Sequence, residues 1–494
     1  MIPRAVNPQS VIRFDKKPPF TRRDWLAATR KLLGKGARPV VLFSQKTNDD
    51  IRVWAALAPS TSGELFLTST VFSASERRGY GALSYDNPCM NYFECELYEQ
   101  TGIVPERHPW LRPVRSGDAW RKDGAPYSFY RVHGGEVHEV AVGPVHAGVI
   151  EPGHFRFQCH GEETLHLEIQ LGYQHRGIEQ LLPRQKPAQQ LVLVESIAGD
   201  SVIAHTTAFC SAIEALASFS PSLREQAVRG IAAELERIAM HISTLSGIAT
   251  DIGFALPAAA FGALRTAVIN LTAEICGNRF GRGWIVPGGV RFDFDPSLID
   301  KARHVLGEVL AKFPDIEALL FHAPSALARM EETGVVTTEQ ARAIPLVGLA
   351  ARASGVACDV RADFPYGIYR YSSIPSSTLD SGDVYARAKL RALEVRNSIQ
   401  FISEQLDNLP APKPKKLLGD LAPNAFTIAL AEGHRGEIAH VLFTDADGRI
   451  AQVKIKDPSF HNWHGLALAV RENGISDFPL CNKSFDLSYA GHDL

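Results

Sequence analysis

Short alternating runs of hydrophobic and polar residues dominate the first part of the chain. Thr21 is placed to cap a helix that continues to Leu33 and stops at two glycines, and a second helix is expected from about Met90 to Gln100. Between these helices, runs rich in β-branched and aromatic residues are separated by turn residues, which predicts strands at 40–43, 51–57 and 64–72.

The pattern changes from strands to helices further along the chain. Strands are expected at 137–142, 154–159 and 164–170, and long helices from about 198 to 273. Apolar residues three and four apart from Val228 to Ile248 give the clearest helix. The remaining expected elements are a helix at 384–406, strands at 427–430, 438–443 and 451–455, and a helix near 466–471 before an irregular C-terminus.

These elements predict an α+β protein with two domains. Residues 1–115 form a small α/β domain, and residues 116–136, rich in Pro, Gly, Ser and mixed charge, form a linker. Residues 137–494 form a large, mainly α-helical domain with small peripheral β-sheets. A chain of 494 residues has the length expected for two or three domains.

Composition and charge exclude several classes of protein. Lys plus Arg number 52 and Asp plus Glu 54, a net charge of -2, so the chain lacks the basic field of a nucleic-acid-binding protein. Its seven cysteines are scattered and do not suggest a disulfide framework, which favours a reducing compartment. The longest apolar stretch, 252–264, is too short to span a bilayer, so membrane contact is expected only through partners.

Common catalytic motifs are absent from the sequence. There is no phosphate-binding loop of the GxxxxGK[ST] type, no HExxH and no dinucleotide fingerprint, so contact with NAD is not expected. His461 and His464 are spaced as metal ligands could be, but no second pair of ligands lies nearby, and a metal site there is not favoured.

Several blocks are denser in polar residues than a helical core needs. In this order along the chain, GPVHAGVIEPGHFRF, LGYQHRGIE, VESIAGDSVIAH and DPSFHNW with the C-terminal segment resemble the large subunit of group 4 NiFe hydrogenases and its relative in respiratory complex I, the D component. The block at 92–113, YFECELYEQTGIVPERHPWLRP, is similar to the C component of complex I. A chain that joins the two resembles the large subunits of formate hydrogenlyase and hydrogenase-4.

The chain departs from the hydrogenase pattern at the metal. In the hydrogenases that it resembles, two CxxC pairs supply four thiolates, because soft anionic sulfur binds nickel and bridges it to iron. The corresponding positions here are Ala198, Ser201, Ser488 and Gly491. Two of these have no donor atom and two are neutral hydroxyls. We therefore expect no NiFe centre, no metal bound at these positions and no hydrogenase activity.

The resemblance to complex I implies that the vacated cavity takes a quinone headgroup, between a histidine of the hairpin 143–157 and a tyrosine. The hairpin offers His146 and His154, whereas Gly199 stands in the tyrosine position and Tyr489 lies on the other side. The candidate catalytic residues are His154, Asp200, His205, Asp486 and Tyr489. The candidate ligand-contacting residues are His146, Glu151, His175 and Arg176.

Spacing adds two expectations that do not depend on the resemblance. Ala198, Ser201 and His205 lie three and four residues apart, which predicts one helical face. Glu234, Arg237 and His241 repeat that spacing, and a salt-bridged seam between helices is favoured over a site. Near the turn at Gly355, the residues Arg352, Arg361 and Asp363 suit buried ion pairs or a proton relay.

The function implied by the resemblance is that of a redox-complex subunit related to the energy-converting hydrogenases. The expected partners are an iron–sulfur small subunit, which holds the cluster, and antiporter-like membrane subunits. The chain itself is expected to bind no cofactor other than a candidate quinone, and to lie in the cytoplasm against the inner membrane. Quinone reduction in the cavity and a non-catalytic scaffold that transmits conformational change both remain open.

Overall fold

The computed structural model describes residues 3–14, 19–47, 50–59, 63–73, 79–115, 121–122, 125–148 and 150–494. The expected α+β class is confirmed, since helices and several small antiparallel sheets occur together. Part of the predicted linker, 116–120 and 123–124, lies outside the described residues.

The described strands are short except in two sheets. They are β1 (Arg4–Val6), β2 (Ile12–Arg13), β3 (Arg38–Thr47), β4 (Asp50–Ala58), β5 (Leu65–Phe72), β6 (Tyr80–Gly81), β7 (Pro105–Glu106), β8 (Arg121–Lys122), β9 (Ala125–Pro126), β10 (Val137–Val142), β11 (His154–His160), β12 (Glu163–Gln170), β13 (Ile285–Val286), β14 (Gly289–Val290), β15 (Ala425–Gly433), β16 (Gly436–Thr444) and β17 (Ile450–Lys456).

The described helices concentrate in the second half of the chain. They are α1 (Arg22–Leu33), α2 (Asn91–Thr101), α3 (Ile178–Leu181), α4 (Pro187–Val194), α5 (Val202–Leu216), α6 (Leu223–Asp251), α7 (Ala255–Cys276), α8 (Pro296–Phe321), α9 (Pro324–Met330), α10 (Thr338–Ala343), α11 (Gly348–Ala353), α12 (Val360–Asp363), α13 (Val384–Asp407), α14 (Ser459–Ala469), α15 (Phe478–Phe485) and α16 (Tyr489–Asp493).

The N-terminal part has the predicted helix and strands. Thr21 caps α1, because its side-chain oxygen accepts a hydrogen bond from the Asp24 amide at 3.2 Å. The helix buries Trp25 and Leu33 against the sheet β1-β5-β4-β3. The second predicted helix is also present, as α2, and ends at Gly102 in the left-handed conformation.

A second four-stranded sheet, in the order β17-β16-β15-β2, joins the two ends of the chain. Its edge strand β2 comes from the N-terminal part and pairs Arg13 with Ala425. Aromatic rings of both parts meet between the sheets, with Trp54 and Phe426 centroids 4.9 Å apart. The two predicted domains thus share one hydrophobic cluster, and the proposed boundary at 115–137 stays a prediction.

Long helices form the main hydrophobic cluster. Helix α6 begins at a capping box, in which Ser222 and Glu225 bond each other's backbone amides, and it packs against α7 and α13. Among the described residues, α7 is the helix long and apolar enough to cross a membrane, by length and composition alone. Within this fold, 44% of the most apolar stretch of α7 is buried.

The end of the chain differs from its prediction. The helix expected at 466–471 is α14, which runs from Ser459 to Ala469, and the segment expected to be irregular contains the helices α15 and α16. Helix α15 ends at Asp486, a non-glycine residue with φ of +56°. Helices of eight and five residues, separated by the three residues 486–488, carry too little periodicity to be predicted from the sequence.

A buried ionic group joins the N-terminal sheet to the second sheet. Glu437 on β16 accepts a hydrogen bond from Arg38 at 2.8 Å and one from Lys456 at 2.5 Å. Burial raises the pKa of Glu437, but the charges of Arg38 and Lys456 outweigh it and hold this pKa well below its ordinary value. The carboxylate therefore stays charged, and both cations depend on it.

We predict that Glu437→Gln lowers the free energy of unfolding by about 3 to 5 kcal/mol, because it leaves two buried cations without their anion. Urea unfolding followed by tryptophan fluorescence measures this change. The contribution of Glu437 should be complete above the ordinary Glu pKa of 4.5 and decline as the pH falls below it. The matched control is Glu308→Gln, which removes the exposed pair with Lys312 and should change little. Equal effects of the two substitutions would contradict the role given to Glu437.

Candidate functional site

The candidate site lies around the tip of the β15–β16 hairpin. The sequence Gly433-His434-Arg435-Gly436 makes a two-residue turn, since Gly433 and Gly436 are paired across the hairpin. Gly436 has φ of +133°, and a Cβ there would lie 2.8–3.0 Å from atoms of Gly348 and Val347. Only glycine fits this position, and the tight turn carries His434 and Arg435 into the protein interior.

Arg435 connects the two segments that the sequence analysis matched to the metal-binding motifs of hydrogenases. Its guanidinium donates to both carboxylate oxygens of Asp200, at 2.7 and 2.6 Å, although the two residues are 235 positions apart. It also donates to the Ser201 hydroxyl at 3.3 Å and to the main-chain carbonyl of Asp486. The Asp486 carboxylate lies 4.0 Å away. We call Asp200, Arg435 and Asp486 the ionic bridge.

Both carboxylates of the ionic bridge are held in the charged state. Burial raises the pKa of Asp200, but the charge of Arg435 and its hydrogen bonds lower it below the ordinary value. For Asp486 burial acts in the same direction, and the charges of Lys483 and Arg435 outweigh it, so its pKa lies well below the usual range. Asp486 also accepts hydrogen bonds from Thr244 at 2.6 Å and Lys483 at 2.9 Å.

The two serines at the positions matched to hydrogenase metal ligands have structural partners. Ser488 caps α16 by accepting a hydrogen bond from the Gly491 amide at 2.9 Å, and its own amide donates to Ser459. Ser201 is the residue before α5 and contacts Arg435. All four matched positions, Ala198, Ser201, Ser488 and Gly491, are buried.

Gly491 lies against the carboxylate of Asp457. A Cβ at position 491 would be 2.7 Å from Asp457 Cγ, so a side chain there would collide with the carboxylate. Asp457 also accepts a hydrogen bond from His205 at 3.0 Å, and His205 contacts His440 at 3.1 Å. Burial raises the pKa of Asp457, but the hydrogen bond and charge of His205, with Arg435, lower it to about 2.

The predicted helical face of Ala198, Ser201 and His205 is wrong. Helix α5 begins at Val202, and Ala198 lies before it in a turn. A side chain of another helix caps the start of α5, because Glu236 on α6 accepts hydrogen bonds from the amides of Ile203 at 2.7 Å and Ala204 at 3.2 Å. His205 therefore points to Asp457, behind the ionic bridge, rather than alongside Ala198.

The predicted hairpin histidines stabilise their own hairpin. The ring of His146 contacts the Gly153 carbonyl at 2.9 Å, and that of His154 contacts the Gly143 carbonyl at 3.2 Å. Burial lowers the pKa of His154, which keeps its ring neutral at pH 7. The hairpin reaches the C-terminal segment through Glu151, which accepts hydrogen bonds from the amides of Tyr489 at 3.3 Å and Ala490 at 3.4 Å.

Tyr489 lies between the hairpin and the aromatic core. Its ring stands edge-on to Trp463, with centroids 4.8 Å apart, and lies against Gly153. Its hydroxyl accepts one hydrogen bond, from Asn482 at 3.4 Å. Burial raises its pKa to about 12, so the hydroxyl keeps its proton and remains a donor at neutral pH. The position of the missing tyrosine, Gly199, faces open space.

His175 and Arg176 bind main-chain carbonyls of the same two segments. His175 contacts the Asp493 carbonyl at 2.7 Å. Arg176 donates to the carbonyls of Ile197 and Ala490, each at 3.0 Å, and so also joins the first former motif to the second. Both side chains are exposed, but these contacts support a positioning role rather than direct contact with a ligand.

The expected seam of ion pairs is confirmed behind the site. Arg237 and Arg361 both bind Glu234, at 3.1 Å. A second buried carboxylate, Glu394, accepts a hydrogen bond from His241 at 2.6 Å and pairs with Arg352. The expected partner Asp363 is replaced by Asp359, which binds Arg352 at 2.9 Å and Arg361 at 2.7 Å.

Sequence reasoning missed the residues that organise the site. They are His434, Arg435, His440 and Asp457. The pair of glycines around His434 and Arg435, between two strand-like runs, was the available signal for the hairpin tip. Among the described residues, no group of three or more His, Cys, Asp or Glu side chains is arranged to hold a metal ion, and His464 instead stacks on Tyr92 with centroids 3.6 Å apart.

Comparison with known proteins places this geometry in a family. Residues 251–418 match the family described as respiratory-chain NADH dehydrogenase, 49 Kd subunit. A carbon monoxide-induced hydrogenase of Rhodospirillum rubrum is 30% identical over 351 residues, 70% of this chain and 96% of that protein.

Two further relatives cover more of this chain. Formate hydrogenlyase subunit 5 of Escherichia coli is 27% identical over 479 residues, 92% of this chain and 84% of the relative. The C/D component of the NADH-quinone oxidoreductase of Bacteroides thetaiotaomicron is 27% identical over 430 residues, 79% of this chain and 81% of the relative. The chain belongs to the family that unites the large subunits of group 4 hydrogenases with the 49 kDa subunit of complex I.

Proposed function

We propose that this chain is the large subunit of a membrane-associated, complex I-like redox complex related to the energy-converting hydrogenases, and that it works without a NiFe centre. The names of its relatives, a formate hydrogenlyase, an NADH-quinone oxidoreductase and a membrane-bound hydrogenase, support the first part. The arrangement at positions 198, 201, 488 and 491 supports the second.

The observation that carries the proposal is the ionic bridge. A nickel centre needs soft thiolates that converge from both segments. Here Ser488 caps a helix, and Gly491 lies so close to the Asp457 carboxylate that no side chain fits at position 491. Arg435 already joins the two segments through Asp200 and the Asp486 carbonyl. The residues present therefore do not fit a NiFe centre, and a positive guanidinium takes over the joining role of a metal cation.

In the catalytic form of the proposal, a quinone headgroup binds in the open space beside Gly199. Tyr489 keeps its proton and can donate a hydrogen bond to a carbonyl oxygen. Glu151 lies beside the Tyr489 amide, and burial raises its pKa, which suits a carboxyl group that exchanges protons. Electrons would come from an iron–sulfur cluster in a partner subunit, as complex I-like organisation implies.

The second candidate function is a scaffold without chemistry of its own. It is favoured by the hairpin histidines, since His146 and His154 each use a ring nitrogen to contact a carbonyl of the same hairpin. In that form the chain would assemble the redox module and transmit conformational change. The two candidates differ in what Tyr489 does, and a substitution that keeps the fold separates them.

The proposed docking face for the iron–sulfur small subunit lies at 143–157 and 171–205. Hydrophobic side chains are exposed there, namely Val145, Ile150, Tyr173 and Val192. Antiporter-like membrane subunits would complete the complex, and the chain would touch the cytoplasmic face of the inner membrane only through its partners.

We predict that the purified complex contains far less than one nickel per chain and neither produces nor consumes hydrogen. Elemental analysis and a hydrogen assay measure this. The variant with Cys at 198, 201, 488 and 491 should also lack nickel, because the Cβ at 491 would lie 2.7 Å from the Asp457 Cγ. One nickel per chain in the natural protein would refute the proposal.

We predict that Val145→Asp combined with Ile150→Asp lowers the amount of co-purified iron–sulfur small subunit about tenfold or more, since a charge at the centre of an apolar contact is desolvated without a partner. Quantitative mass spectrometry of the purified complex measures the ratio. Leu417→Asp is the matched control, because Leu417 is 95% exposed in a segment outside the proposed face. Unchanged ratios in the double variant would exclude this face as the docking site.

We predict that Tyr489→Phe lowers the rate of electron transfer to quinone about a hundredfold, because loss of a positioned proton donor slows a reaction by at least this factor. The complex should stay assembled. The hydroxyl has one weak hydrogen bond, so the fold should lose little stability. His154→Gln is expected to act in the same direction, and Tyr371→Phe, on an exposed ring, is the control. Normal turnover in assembled Tyr489→Phe complexes would establish the scaffold function instead.

A further inference from the structure

A cavity lies along strand β12, and none of the residues that line it belongs to the ionic bridge. It has an outer cleft of about 430 Å³, lined mainly by Trp110, Tyr130 and Leu165 with His166 and Arg471. An inner chamber of about 90 Å³ shares Trp110, His166 and Arg471 with the cleft and ends at Arg112. The two spaces adjoin at these three residues, and the wall of the chamber, which is mainly apolar, includes the Arg112 guanidinium and the His166 ring.

Arg112 is buried at the end of the chamber with two unused N–H groups. Its guanidinium lies over Trp110, 4.0 Å from the ring centre, and near Tyr92, to whose hydroxyl Nη2 donates. Within the described part of the chain, Nε and Nη1 have no hydrogen-bond partner, and the Glu168 Oε1 atom, also without one, is 3.8 Å from Nη1. The N–H groups of a buried arginine normally each have a hydrogen-bond acceptor, so an acceptor is missing from this chamber.

His166 adds a third donor. Arg471 donates to His166 Nδ1 at 3.3 Å, which leaves the ring proton on Nε2. Burial, with the charges of Arg471 and Arg112, lowers the pKa of His166 to about 4, so the ring is neutral at pH 7 and keeps this tautomer. Nε2 is buried and has no partner among the described residues.

The hydrogen-bond donors in this site are not all satisfied. One water between Arg112 Nη1 and Glu168 Oε1 would satisfy both atoms, but Arg112 Nε and His166 Nε2 would then still need acceptors. Arg112 and Glu168 form a buried ion pair, whereas Arg471 is exposed to solvent. An anionic oxygen group in the chamber would accept both remaining hydrogen bonds, and hydrogen bonds to a charged acceptor are stronger than neutral ones.

We propose that this cavity binds a small organic carboxylate with an aromatic or apolar body, the carboxylate in the chamber on Arg112 and His166 and the body between Trp110 and Tyr130. The volume of the cleft suits a single ring, and its walls combine the aromatic rings of Trp110 and Tyr130 with the polar groups of His166 and Arg471, as small-molecule sites do. None of these residues belongs to the ionic bridge, so the site is independent of the proposed redox role.

The position of the cavity suggests what binding does. Its walls come from the segment after α2, from residues 130–132 of the predicted linker and from β12, and the Tyr130 amide donates to Glu168 at 2.8 Å. A ligand against Tyr130 would hold the linker segment to the β10-β11-β12 sheet. The loop of the 143–157 hairpin joins β10 to β11 in this same sheet. The ligand would thereby stabilise the junction between the two predicted domains.

The test uses the full-length chain, purified with whatever subunits accompany it, and benzoate as the probe. Saturation-transfer NMR and calorimetry should detect benzoate binding at concentrations up to about 10 mM, and benzamide, which has the same shape without the charge, should bind about tenfold more weakly or worse. His166→Phe and Arg471→Gln should each weaken benzoate binding about tenfold. The control is Arg449→Gln, an exposed arginine beside Asp447 that lies outside the cavity.

Three results would overturn the proposal. One is the absence of benzoate binding, which would mean that the chamber holds water only. Another is equal binding of benzoate and benzamide, or binding unaffected by His166→Phe and Arg471→Gln. The third is binding of inorganic phosphate with no binding of benzoate, which would assign the site to inorganic anions.

Discussion

The structure of the candidate site depends on one guanidinium. Arg435 holds Asp200 through two hydrogen bonds and the Asp486 carbonyl through another, and so fixes two chain segments that are remote in sequence. A buried charge is stable only with its counter-ions in place, so each segment is required for the other. Under the proposal, this ion pair joins the segments that thiolates on a metal join in a hydrogenase.

The charge of the ionic bridge continues into a larger buried network. His434, next to Arg435, lies near His241, with ring centroids 6.2 Å apart, and His241 binds Glu394 in the seam of arginines and carboxylates. Burial lowers the pKa of His241 to about 4 and raises that of Glu432 to about 8, so both groups are neutral at pH 7 among fully charged neighbours. This mixture of fixed charges and neutral titratable groups explains why the helical domain is so rich in polar residues.

Much of the fold could be predicted because it rests on local patterns. Helix α1 follows from the cap at Thr21, α6 from the apolar positions between Val228 and Ile248, and the strands from their β-branched residues. Predicted helix boundaries were wrong where a residue distant in sequence determines them. Glu236, on α6, fixes the start of α5 by accepting a hydrogen bond from the Ile203 amide. The pairing of β2 with β15 was not predicted either, because no local sequence pattern indicates it.

The candidate site was only partly predictable, because it also depends on contacts between residues that are distant in sequence. Asp200 and Asp486 could be identified because the residues around them resemble known motifs. Arg435 stands in neither motif, and Asp457, the first residue of the DPSFHNW block, had no signal for its role, because both act through contacts with residues more than fifty positions away.

We propose that an ionic bridge stands where a hydrogenase carries nickel. A high-resolution cryo-electron microscopy map of the assembled complex would decide this. We expect side-chain density that connects Arg435 with Asp200 at hydrogen-bond distance, and density for the Asp457 carboxylate against Gly491. A metal peak between positions 201 and 488, with Arg435 turned away from Asp200, would contradict it.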